Sequence, residues 1–154
     1  MYDRLLPLAL LTLLAAACGG GASVPEQAPA KALAPRTDGV YAARTDGLVQ
    51  YLHFYPGGNV VTLNCLASVA DSLKGTFRPD LPADLLKGTH NVPFTQRGDS
   101  VIFRTTLMQG FMDYHGMLHP GDSITMDKYS TVNGRMFHPV YRFEPDAPSA
   151  QQAP

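Results

Sequence analysis

Between Asp38 and Glu144 the chain alternates apolar and polar residues in short runs. In SVIFRTT (100–106), Val101, Phe103 and Thr105 share one side, and Ile102 and Arg104 the other. In FMDYHGML (111–118), Met112, Tyr114, Gly116 and Leu118 oppose Asp113 and His115. In SITMDKYS (123–130), Ile124 and Met126 oppose Thr125 and Asp127. In RMFHPVYRF (135–143), Phe137, Tyr141 and Phe143 oppose His138 and Arg142. Successive side chains of a strand point to opposite faces, so a period of two with one apolar set predicts antiparallel sheet with one face buried.

Four more runs, GVYAAR (39–44), LVQYLHFY (48–55), NVVTLNCL (59–66) and THNVPFTQ (89–96), bring the predicted strands to eight. PGGN (56–59), RGD (97–99), HPGD (119–122) and VNG (132–134) supply turns between them. Gly57 and Gly58 allow the positive φ that a tight reversal needs. Pro93 and Pro139 cannot donate to a ladder, which places them at edges, strand ends or bulges. Eight short hairpin-linked strands fit an all-β, antiparallel up-and-down barrel, because closure removes unpaired edges. A β-sandwich is the alternative. The stretch 67–88 lacks alternation. Pro82 and Gly88 bracket ADLLK there, predicting a helical turn or two. Its place between the third and fourth strands predicts a cap over one barrel mouth, as a structural plug in preference to a moving lid.

The first residues differ in kind. Leu5 to Ala17 is an apolar run broken only by Pro7 and Thr12. It is shorter than the ~20 residues that span a bilayer and has the length of a secretory signal core, ending in Ala15, Ala16 and Ala17 before Cys18. Residues 1–17 are therefore expected to be a signal peptide, 18–37 a Gly/Ala/Pro-rich flexible tether, 38–144 the folded domain, and 145–154 a structureless tail. An ordinary signal peptide cut near Ala17 and a buried N-terminal helix are the other readings of the apolar run.

The run ending in Cys18 resembles a bacterial lipoprotein signal, with Ala15 at the third position before the Cys, where Leu is usual, and Leu14 one step earlier. The strings DGVY (38–41), YLHFYPGGNVV (51–61), GDSVIFRTT (98–106), DYHGMLHPGDSITM (113–126), VNG and YRF (141–143) resemble a group of small bacterial lipoproteins that carry a lipocalin-like domain without a settled activity. The resemblance implies that Cys18 is lipidated and holds the protein in the cell envelope. A buried acyl chain contributes about 0.8 kcal/mol per CH₂, and stable anchoring takes more than one chain, which the triacylated Cys of that class supplies. Gly19 after the Cys, in place of Asp, implies the outer membrane if the host is a diderm.

Charge and cysteine content narrow the partners. Lys+Arg number 12 and Asp+Glu 13, a net charge of −1, so no basic field draws in nucleic acid. With Cys18 committed to lipid, Cys65 is the other of two cysteines, and an internal disulfide is excluded. Cys65 in a β-like run is expected to be a small buried thiol. No nucleophile motif and no Gly-rich phosphate loop is legible, so a non-enzymatic, monomeric protein without a cofactor is expected.

Three candidate functions remain. A barrel encloses packed side chains or one small ligand. Leu52, Phe54, Val61, Leu63, Phe103, Tyr114, Ile124, Met126, Tyr141 and Phe143 are the expected inward residues, suited to a small hydrophobic or amphipathic molecule. A filled core is the competing reading. MQGFMDYHGMLH gathers Met108, Met112, His115, Met117 and His119, ligand types that favour copper, with His53 and His138 as recruits from other strands. Their alternation places Met112 inward and His115 with Met117 outward, so convergence needs a bulge. The third function is contact with an envelope protein. RGD at 97–99 matches an adhesion tripeptide, and a hairpin turn explains the same residues.

Overall fold

The computed structural model describes residues 32–146. The expected signal peptide, Cys18, most of the tether and nearly all of the tail lie outside the described residues. Within them are ten strands: β1 (Gly39–Thr45), β2 (Leu48–Phe54), β3 (Asn59–Leu66), β4 (Thr89–Pro93), β5 (Thr95–Arg97), β6 (Ser100–Leu107), β7 (Gly110–His119), β8 (Ser123–Ser130), β9 (Met136–Phe137) and β10 (Val140–Pro145). One short helix, α1 (Ala70–Leu73), follows β3. All pairings are antiparallel, in the order β4-β3-β2-β1-β10-β8-β7-β6-β5, with β9 on β8.

Ten strands replace the expected eight because two runs are interrupted. β9 and β10 hold one register on β8, Phe137 opposite Lys128 and Tyr141 opposite Ile124, so they are one strand broken at His138 and Pro139. β4 pairs with β3, and β5 pairs with β6. The chain changes partner at Phe94, whose N–H donates to Gly58 O at 3.0 Å. The two outer strands of the sheet are thus consecutive in sequence, and β4 lies against β6. The result is a nearly closed, barrel-like sheet. Pro93 ends β4 and Pro139 precedes β10, where a missing N–H costs no ladder bond.

Two apolar clusters lie on opposite faces of the β1–β3 wall. Tyr41, Leu52, Phe54, Val60, Val101, Phe103, Tyr114, Leu118, Ile124, Met126 and Tyr141 fill the inside. Val40, Ala42, Val49, Tyr51 and Leu63 face outward and are covered by Ala70, Leu73 and Phe77. Phe77 meets Tyr51 edge-on at 6.0 Å. The insertion therefore clads the outer wall and does not cap a mouth. Its helical part is 67–76, two 3₁₀ turns flanking α1. The turn expected before Gly88 is a single 3₁₀ turn, Leu85–Lys87, where Asp84 accepts the N–H groups of Leu86 and Lys87 and Gly88 closes at φ 65°.

The same wall corrects two inward assignments. Tyr55 N–H donates to Asn59 O at 2.9 Å, and this turn sets Phe54 opposite Val60. Even-numbered residues of β2 then face even-numbered residues of β3. Leu52 and Phe54 point inward with Val60 and Thr62, while Val61 and Leu63 point outward with His53 and Tyr51. Pairing Leu52 and Phe54 with Val61 and Leu63 required a register one residue away, which moves a whole strand to the other face.

One end of the barrel is sealed. Tyr41, Phe54, Val60, Val101, Leu118 and Ile124 lie there, with the Phe54 and Phe94 rings 5.1 Å apart. Leu33, from the segment read as tether, packs on this cluster, and its N–H donates to Asp99 Oδ1 at 2.6 Å. Arg36 pairs with Asp38 and Asp122 and lies 3.9 Å over the Phe143 ring. Asp99, the acid of the RGD tripeptide, is thus engaged in holding the N-terminal segment.

Candidate functional site

At the opposite end eight of the ten strands contribute inward residues, several of them short or polar. Ala43 and Thr45 come from β1, Gln50 from β2, Asn64 from β3, His90 from β4, Leu107 from β6, Met112 and Tyr114 from β7, Lys128 from β8 and Phe137 from β9. Together with His138 and Pro139 they border a cavity of about 430 Å³. Its size falls within the range of small-molecule sites. It exists because Ala43 and Thr45 stand where the sealed end has aromatic rings.

The wall is apolar around one charge. Lys128 is 5% exposed. It reaches this position because Ile124, Met126 and Lys128 share one face of β8, opposite Leu118, Gly116 and Tyr114. Lys128 Nζ donates to Gln50 Oε1 at 2.6 Å and lies 5.2 Å from the Tyr114 ring centroid. Gln50 Oε1 also accepts from Tyr141 Oη at 2.9 Å, which fixes the amide. Among the described residues no carboxylate pairs with Lys128. Burial alone pushes its pKa down from 10.5 to about 8. Burial also pushes the His90 imidazole down and the Tyr141 phenol up. The Thr62 hydroxyl, on an inward position of β3, has no hydrogen-bond partner among the described residues.

Exposed apolar side chains gather at the same end. Leu48, Leu66, Phe111, Val132 and Met136 lie on or beside the connections there, with Leu86 at 87% and Met108 at 79% exposed. Phe137 shares the inward face of Tyr141 and Phe143, as expected, yet stands at the rim and is 43% exposed.

Of the ten expected lining residues, Tyr114 borders the cavity. Leu52, Phe54, Phe103, Ile124, Met126, Tyr141 and Phe143 pack the interior beneath it, and Val61 and Leu63 face outward. Gln50, His90 and Lys128 were missed. For Lys128 the signal was present, since it shares its parity with Ile124 and Met126 in a strand with one apolar face, whereas β2 is buried on both faces and its alternation did not mark Gln50. A lone polar residue in an apolar register marks a polar group turned inward.

The Met/His cluster is not assembled. Met108 lies in the β6–β7 turn and Met112 lines the cavity, while His115 and Met117 stand on the outer face of β7. His119 Nε2 meets Thr125 Oγ1 at 2.8 Å. His138 Nδ1 reaches Asp127 Oδ1 at 2.6 Å, opposite His115, whereas His53 stacks on Tyr55 at the helix-clad wall. Among the described residues no three His, Cys, Asp or Glu side chains are arranged to hold a metal ion. Cys65 is half-buried on the clad wall, and burial pushes its thiol pKa up, which disfavours the reactive thiolate.

No family model, curated protein or solved structure matches this chain.

Proposed function

We propose that the domain is a non-catalytic container for a small hydrophobic or amphipathic molecule, held at the open end of an up-and-down, lipocalin-like barrel. The single observation that carries this reading is the 430 Å³ cavity, apolar on most of its wall and opening among exposed Leu, Met and Phe side chains. If β4–β5 and β9–β10 are each counted as one interrupted strand, the barrel has eight strands. The sequence pattern around Cys18 supports a lipoprotein of the bacterial envelope, anchored through that residue and placed in the outer membrane when the host is a diderm. Cys18→Ser then leaves an unlipidated precursor, visible as a loss of acyl mass. Continued acylation or anchoring of that variant sinks the assignment.

Native mass spectrometry of the full-length Cys18→Ser chain, after incubation with a bacterial envelope lipid extract, tests the container. The expected result is a stoichiometric organic adduct. A bare polypeptide mass overturns it and favours the second reading, an envelope protein seated on the apolar rim that Leu86 and Met108 expose.

A further inference from the structure

The cavity contains a cation with no counterion among the described residues. Lys128 is buried in the wall, and its ammonium has three donors, of which Gln50 Oε1 takes one. The Tyr114 ring face supplies partial compensation. The ion pairs among the described residues have their carboxylates at or near the surface. Arg104 meets Asp113 on the outer wall, and Arg44 and Lys74 share Glu144. An isolated buried charge costs several kcal/mol unless it is paired. A protein needing only a core would place Leu or Met here. The lysine borders the open-end cavity, within reach of a molecule held there.

We propose that the occupant is a monoanionic amphiphile, an apolar chain ending in a carboxylate-type head group that pairs with Lys128. This deepens the container reading and rests on it. Gln50, held by Tyr141, sets the position of the ammonium, and His90 lines the same cavity as a second polar group. One cation matches one negative charge, since a second charge on the ligand would itself be buried unpaired. The apolar tail contacts Leu107, Met112 and Phe137 and leaves through the apolar rim.

Three probes of equal chain length separate charge from apolar contact: decanoate, decanol and decyltrimethylammonium. Each is titrated by calorimetry into the full-length Cys18→Ser chain at pH 6.5. Decanoate is expected to bind at least ten-fold more tightly than decanol, with the cation weakest. In Lys128→Met the decanoate-to-decanol ratio falls to near one. Equal affinities for decanoate and decanol, or tightest binding of the cation, overturn the head-group assignment while leaving the container intact. Failure of all three to bind overturns the container itself, and this inference with it. The probe comparison uses the native cavity, so it decides the matter even where Lys128→Met does not fold.

Discussion

Lys128 should cost the unliganded protein stability, and the sign of its pH dependence follows from its burial. In the unfolded chain its ammonium has the ordinary pKa of 10.5, and in the folded protein about 8. Between those values the unfolded state holds a proton that the folded state lacks, so stability rises with pH across this window. Below pH 8 the full penalty applies. The shift corresponds to about 3 kcal/mol at 1.36 kcal/mol per unit. Replacing a buried charge with an apolar side chain of similar volume is often stabilising. Lys128→Met is therefore expected to be more stable than the parent by about 3 kcal/mol at pH 7 in urea unfolding. The gap should narrow to half or less by pH 9.5. Comparing the two proteins at each pH cancels the tyrosines that titrate nearby. A Met variant that is less stable, or a gap that does not change with pH, removes the case for an uncompensated cation.

At the scale of elements, what could be read from the sequence depended on whether period or register carried the information. Period placed the faces of β6, β7 and β8 correctly, because buried Phe103, Tyr114 and Met126 each stand between half-buried or exposed neighbours. β2 and β3 are buried on both faces near their centre, so alternation there carries little signal. Their relative register is set by the hydrogen bonds of the turn at Tyr55–Asn59, which composition does not specify. The same double burial explains the misplaced insertion, since residues on the outer wall of β1–β3 need a cover and 67–77 supplies it. Closure depends on another feature invisible to periodicity, the approach of β1 to β10 at Gly39. A Cβ on Gly39 would fall on the backbone of Glu144 and Pro145 and meet Phe143 Cζ at 2.7 Å. Backbone cannot move aside as a flexible side chain can. Gly39→Ala is expected to cost about 2–3 kcal/mol, with faster amide exchange in β1 and β10 than in β6 and β7. Unchanged exchange at that seam rules out Gly39 as the position that permits closure.

At the scale of the whole molecule, one end of the barrel is committed to stability and the other to space. The sequence marked the sealed end through its large apolar residues. It marked the open end only through small or polar residues in inward register, of which Lys128 stands in a readable alternation, while Ala43, Gln50 and Asn64 resemble ordinary surface positions until the strands are paired. A container and an imperfectly filled core differ in how they respond to added volume. Ala43 is buried at the cavity wall, and its larger equivalents are accommodated only if the space beside it is real. Ala43→Leu adds three carbons to that space, and burying them contributes about 2 kcal/mol at ~0.8 kcal/mol per carbon. The variant is expected to melt several degrees higher than the parent and to bind decanoate and decanol at least ten-fold more weakly. Binding and stability then change in opposite directions, as they do when a protein holds space for a ligand at the expense of its own packing. If Ala43→Leu lowers the melting temperature, the wall has no room for it and the cavity is not a site. If it raises stability and leaves binding intact, the ligand sits elsewhere, with the exposed rim at Leu86 and Met108 the next surface to probe.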